Sequence, residues 1–330
     1  MKPPVGPSES SLIARILAGT TSARRPSYLP IGATDDAALL RARPGRVLAL
    51  TCDWFLEGTH FLPDRHPPEA VGWKALARAT SDLAAMGATP RCFLLSLALP
   101  DSRTGAWLDG FLKGLRSASR KLRCPLAGGD TTRRNQVLIN ITVAGEVRRG
   151  RSVLRSGARP GDAVFVTGRL GEAQYGLELV LASRGPVRPH HPRLRKHLCP
   201  EPRLAVGARL ASLGLATAMM DLSDGLSSDL PRLCMASGVG ARVDAAKLPK
   251  VKLPSRNPLP KFDPLSAALH GGDDYELLFT VARKNLRRIP KRLAGVTVTR
   301  IGEITRHKEV VLASHGGTEP LAEKGWDPFR

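Results

Sequence analysis

VLALTCD, residues 47–53, is a short apolar run that ends in polar groups, the pattern of a buried strand delivering its last residues to an active-site loop. Working outward from it, Pro68–Gly87 predicts a helix with a Pro-rich start and a Gly stop. A strand follows at Cys92–Leu99, closed by Pro100. Thr104–Leu122 predicts a second helix, with Trp107, Leu108, Phe111, Leu112 and Leu115 at helical spacing. Val137–Val143 (VLINITV) alternates as a strand with one buried face does. This strand–helix–strand–helix–strand order describes an α/β domain over residues 1–147.

The charged, Gly- and Pro-bearing segment RRGRSVLRSGARPGD (148–162) reads as the domain boundary, with an α+β domain over 148–330. Within it, strands are expected at Ala163–Thr167, Ala216–Asp221, Glu276–Val281, Val296–Ile304 and Val310–Ala313. Helices are expected at Glu172–Ser183, Arg203–Leu213 and Asp224–Ser237. Gly185–Pro202 and Pro249–Pro264, both Pro-rich, read as connections.

At 330 residues the chain is long for a single core, which agrees with two domains. No apolar run approaches the roughly 20 residues that span a bilayer, and MKPPVGPSESS lacks the apolar region of a secretory signal. The expected location is the cytoplasm, with no membrane partner. Five cysteines, none in CxxC spacing, suggest reduced thiols and neither zinc nor disulfides. The formal charge of +21 is spread along the chain with little aromatic interleaving, so a general positive field that attracts nucleotides is expected rather than a nucleic-acid surface.

The chemistry-bearing residues are aspartates placed where elements end: Asp35 and Asp36, Asp53, Asp82, Asp130, Asp221 and Asp224, Asp273 and Asp274. Asp82 shares a helix face with Ala75, Ala79, Ala85 and Met86, where a carboxylate is costly unless it is paired, binds a cation or caps a helix restarting at Ser81. AGGDTT (127–132) could bring backbone close to an anion, or be a Gly-rich turn capped by Asp. DLSDGL (221–226) sets two carboxylates and Ser223 at a strand-to-helix junction, where Asp224 could simply cap the helix and Asp221 stays unexplained. No GxxxxGK[ST], no HRD…N with DFG, and no GxGxxG after a strand occurs, so Walker-type, protein-kinase and dinucleotide sites are excluded at the level of sequence.

Taken in order, nine segments resemble the thiamine-monophosphate kinase family of the aminoimidazole-ribonucleotide-synthetase-like superfamily. They are SESSLIARI (8–16), IGATDDAALL (31–40), LTCDWFLEGTHF (50–61), WKALARATSDLAAMGATP (73–90), AGGDTT (127–132), RSGARPGD (155–162), MDLSDGLSSDL (220–230), GGDDYELLFT (271–280) and KGWDPF (324–329). The resemblance implies a two-domain architecture whose N-terminal sheet domain forms a homodimer. It implies Mg²⁺-dependent, in-line transfer from ATP to thiamine monophosphate. Carried over position by position, Asp36, Thr51, Cys52, Asp53, Asp82, Asp130, Asp221 and Asp224 match magnesium positions. Gly129, Asp130, Arg155 and Ser223 match ATP contacts, with Asp53, Asp130 and Arg155 the catalytic set; His60, Asp273 and Trp326 match the acceptor pocket.

Three positions depart from the family wording: Thr34 precedes the first Asp pair, Cys52 stands where Thr or Ser is usual, and Asp273 replaces a Glu. A thiol is a poor Mg²⁺ ligand, so any contact at Cys52 is expected through its backbone. The alternatives are another ATP-using member of the superfamily or, from a different class, a basic nucleic-acid-binding protein.

Overall fold

Backbone-to-backbone helix packing organises the first part of the chain. The computed structural model describes residues 8–20, 26–31, 37–188 and 191–329. After α1 (Glu9–Thr20) come β1 (Arg46–Leu56), α2 (Pro68–Ala85), β2 (Thr89–Leu99), α3 (Ala106–Leu122), β3 (Leu126–Arg133) and β4 (Leu138–Arg148). A Cβ at Gly72 would collide with the carbonyl oxygen of Phe111, and one at Gly114 with that of Glu69, so α2 and α3 approach as closely as backbones allow. In this part of the chain Leu76, Phe93, Leu95, Phe111, Leu115, Ile139 and Ile141 are buried. The four strands pair in the order β1-β4-β2-β3, with β2 and β3 parallel and joined over α3, as a parallel connection requires.

Two sequence expectations change here. β1 is the edge of its sheet, and Val47, Leu48, Leu50 and Trp54 are exposed, so VLALTCD is no buried strand. AGGDTT is no turn: it lies inside β3, where Ser96 of β2 pairs with Asp130.

The rest of the chain supplies β5 (Ala163–Thr167), α4 (Glu172–Ala182), α5 (Arg195–Leu198), α6 (Leu204–Leu213), β6 (Ala216–Leu222), α7 (Leu226–Ser237) and β7 (Gly240–Asp244). It closes with α8 (Pro264–His270), β8 (Glu276–Val281), β9 (Arg292–Leu293), β10 (Val296–Thr305), β11 (Val310–Ser314) and β12 (Gly317–Pro320). The sheet order is β12-β11-β7-β10-β5-β8-β6, with β9 beside β10. β5 is buried on both faces: Val164 and Val166 join Met220, Leu226 and Leu278, whereas Phe165 joins Met219, Leu277 and Phe279. That is why AVFVT reads as a continuous apolar run.

The described chain divides into two units. One takes in the described residues of Met1–Thr80, Pro90–Glu146 and Ser183–His191; the other takes in Ser81–Thr89, Val147–Ala182 and those of Pro192–Arg330. Asp82, near the C-terminal end of α2, therefore falls with the second unit. No helix among the described residues is long and apolar enough to cross a membrane.

Candidate functional site

In the first unit, strand alternation sorts the β1 residues. Cys52 is exposed, and its Sγ lies 3.2 Å from Oδ1 of Asn140 on β4. Thr51 and Asp53 stand at alternate positions and point to the other face. Asp53 pairs with Arg78 of α2 at 3.6 Å, and the Arg78 guanidinium lies 5.5 Å from the centroid of the Phe55 ring.

After β1 the chain turns through Gly58, whose φ of 81° is in the left-handed region that glycine reaches without cost. His60 fixes that turn: its N–H donates to the Leu56 carbonyl at 2.8 Å, and the Leu56 N–H donates to His60 Nδ1 at 3.0 Å. With Nδ1 accepting, the ring proton resides on Nε2.

On β3, Gly129 has a φ of 159°, and a Cβ there would drive into the Leu95 carbonyl, so this glycine permits the tight β2–β3 pairing. Asp130 beside it is exposed, while the Thr131 hydroxyl is buried with no hydrogen-bond partner among the described residues.

In the second unit three segments converge. Asp221 lies near the end of β6 and is buried; in the loop 223–225 that follows, Ser223 and Asp224 are half-buried. Asp224 does not cap α7. The N-cap is Gly225, and the buried Asp229 carboxylate, one turn into the helix, accepts the N–H groups of Ser223, Asp224 and Gly225 at 3.1, 3.0 and 3.1 Å. Burial and the neighbouring Asp224 push Asp229 up to about 7, against the pull of those N–H groups and of Arg232. Asp224 is thereby left to face outward, and its carboxylate pairs with Arg232.

The second segment, Gly271–Tyr275, packs on the first. The Asp273 N–H donates to the Ser223 carbonyl at 2.7 Å, and the Tyr275 N–H to the Leu222 carbonyl at 2.9 Å. Asp273 and Tyr275 both have positive φ, 66° and 49°, a conformation costly for an aromatic residue and found where surroundings over-determine it. The Tyr275 hydroxyl donates to Asp273 Oδ1 at 2.7 Å and aims that carboxylate. The adjacent Asp274 does something different: fully buried, it accepts from Gly171 and Ala173 at 2.6 and 3.0 Å at the start of α4, and burial pushes it up to about 7. The third segment brings Trp326, whose N–H donates to the Asp224 carbonyl at 2.9 Å. A Cβ at Gly325 would collide with that same carbonyl and with Ser228.

The second unit thus brings together Ser223, Asp224, Asp273 and Trp326. Arg155 lies in the exposed segment between β4 and β5, its carbonyl bonded by Ser237. Asp82 is inside the unbroken helix α2, so it caps no restart at Ser81. Asp36 lies outside the described residues. Among the described residues no group of three or more His, Cys, Asp or Glu stands close enough to hold a metal ion. The donors are nonetheless oxygen donors, carboxylates and the unpartnered Thr131 hydroxyl, and that chemistry suits a hard cation, whereas the Cys52 thiol engaged with Asn140 does not. Sequence reading missed Asp229, Arg232 and Tyr275; the one available signal was the three-residue Asp229–Arg232 helical spacing.

The chain matches two families: AIR synthase related protein, N-terminal domain, over residues 34–147, and AIR synthase related protein, C-terminal domain, over 159–314. It is 41% identical over 328 residues to the thiamine-monophosphate kinase of Escherichia coli (strain K12), covering 97% of this chain and 98% of that one. The crystal structure of thiamine-monophosphate kinase from Stenotrophomonas maltophilia K279a superposes with a TM-score of 0.79 at 36% identity, covering 93% and 97% of the two chains. The structure of AaThiL complexed with AMPPCP and TMP gives 0.76 at 32% identity, covering 97% of each. With these likenesses running nearly end to end, the chain belongs to the thiamine-monophosphate kinase family of AIR synthase related proteins.

Proposed function

We propose that this chain transfers the terminal phosphoryl group of ATP to thiamine monophosphate, giving ADP and thiamine diphosphate. The observation that carries the reading is the convergence of Ser223–Asp224, Asp273 and Trp326, drawn from three distant segments, in a chain 41% identical to a thiamine-monophosphate kinase. AaThiL, of the same family, is complexed with AMPPCP and TMP, which supports ATP and thiamine monophosphate as the substrates.

The acceptor is a phosphate oxygen that is already anionic at neutral pH, so no general base is needed. It attacks the γ-phosphorus in line, the bond to the ADP oxygen breaks, and no phosphoenzyme forms. The obstacle is mutual repulsion of two anionic substrates. In the first unit Thr51, Asp53 and Asp130 would hold Mg²⁺, as Asp82, Asp221 and Asp224 would in the second; Asp36 completes the set, and Cys52 could contribute only its backbone. Bound Mg²⁺ neutralises the phosphate charge. Gly129, Asp130, Arg155 and Ser223 hold ATP, with Asp53, Asp130 and Arg155 serving the transfer itself, while His60, Asp273 and Trp326 hold the acceptor. Arg232, already paired with Asp224, orients that carboxylate.

The reading extends to a cytoplasmic homodimer. Leu48, Leu50 and Trp54 on alternating positions of β1, with Leu94 of β2, leave an apolar sheet surface that a second copy would cover. A domain boundary at 147/148 belongs to the same reading.

The deciding assay measures ADP release with thiamine monophosphate against thiamine, with and without Mg²⁺. Turnover only with the monophosphate and the metal is expected; phosphorylation of thiamine in preference would overturn the substrate. Asp53→Asn and Asp130→Asn are each expected to lower kcat at least about a thousandfold, the scale for loss of a charge-stabilising group, while unfolding at the wild-type temperature. Full activity in either would remove that residue from the site.

A further inference from the structure

A cleft of about 540 Å³ in the second unit shares no residue with the site above. It is walled by the start of α4, the Pro192–Arg203 segment and Val251–Pro254. Among the described residues five cations line it: Arg193, Arg195, Lys196, Arg203 and Lys252. Their carboxylate counterparts are fewer. Arg195 pairs with Glu201; Lys196 and Arg203 converge on Glu276, which is buried behind the wall, with Arg203 Nε at 2.6 Å from its Oε2. Glu172 is the third acid. Five positive charges against Glu172, Glu201 and Glu276 leave an excess of two, which the buried Asp274, pushed up to about 7 by its burial against the pull of Lys196, offsets in part.

The remaining wall is apolar and firm. Tyr175 is buried, stands edge-on to Phe262 with centroids 4.9 Å apart, and spends its hydroxyl on Asn257 at 2.8 Å. Val251 and Leu253 pack around the same cluster and also line the cleft. A concave site with an apolar floor and a few convergent charges is the form small-molecule sites take. A surplus above one positive charge suits a phosphate monoester, which carries about −1.5 to −2 at neutral pH and accepts the forked donors of arginine.

We propose that this cleft is a second, metal-independent anion site that binds a phosphate monoester carried on a flat apolar group. Arg193 and Lys252 contact the phosphate from outside the Glu276 pairing, and Tyr175, Val251 and Leu253 receive the organic part. Cys199, half-buried in the same lining, reports occupancy.

Phenyl phosphate is the probe, titrated calorimetrically into the full chain in low-salt buffer with EDTA, which silences metal-dependent phosphate binding. In parallel, iodoacetamide alkylation of Cys199 is followed by peptide mass spectrometry. Saturable binding is expected, slowing alkylation of Cys199, with phenol giving no protection. The double variant Arg193→Gln/Lys252→Gln is expected to raise the Kd about tenfold or more, in line with loss of charge pairs at a binding surface, with Tm and phosphoryl transfer unchanged. Absence of Cys199 protection overturns the proposal. So does a Kd that the double variant leaves unchanged, or binding that disappears in Asp224→Asn instead.

Discussion

Burial alone would raise the Glu276 carboxyl, yet Lys196 and Arg203 bring it down to about 2 from the ordinary glutamate value of 4.5. Between those two values the unfolded chain binds the proton and the native chain does not, so this pairing stabilises the fold above pH 4.5 and that contribution is lost as pH falls toward 2. Glu276→Gln, which leaves two cations facing a neutral group, is expected to cost on the order of 3 kcal/mol at pH 7. Urea unfolding as a function of pH checks it: the variant should lose less stability than the parent between pH 4.5 and 2. At this scale the sequence was only partly legible. DLSDGLSSDL offers three carboxylates within nine residues, and nothing in the string says that Asp229, rather than Asp224, takes the N–H groups at the helix start. The choice is made by burial, which depends on the sheet beneath.

Elements were more legible than their roles. β5 and β8 lie where AVFVT and ELLFTV predict them, because a strand buried on both faces must be apolar throughout. β3 was hidden, since its glycines suit a turn as well as a strand whose backbone must lie flat against Leu95. α5 and its neighbouring 3-10 turn were likewise hidden in the Pro-rich Gly185–Pro202 stretch. The terminal segment yields a prediction of its own. Gly325→Ala puts a methyl group against the Asp224 carbonyl and Ser228, displacing Trp326 from the loop it now bonds. It is expected to raise KM for thiamine monophosphate roughly tenfold, about 1.4 kcal/mol, with KM for ATP and Tm unchanged. Steady-state kinetics with each substrate varied in turn would show it, and an unchanged acceptor KM would take Trp326 out of the acceptor's contacts.

For the whole molecule, VLALTCD was misread because an apolar strand left exposed at a sheet edge has the same composition as one facing its own core. If a copy covers Leu48, Leu50 and Trp54, Leu50→Glu sets a carboxylate in that contact and should shift the protein from dimer to monomer in sedimentation velocity, leaving its helical circular dichroism intact. A dimer that survives the change would move the contact elsewhere.

The strand order of the second unit also bears on how the chain comes off the ribosome. β5 lies between β8 and β10, and β6 pairs with β8 alone, so neither finds a neighbour in this sheet until residue 276 has been made, and the sheet cannot close before about 305. The strands of the first sheet, by contrast, all lie within Arg46–Arg148. The nascent chain therefore holds AVFVT, a strand buried at every position when finished, in the open through much of synthesis, the interval in which a chaperone has most to shield.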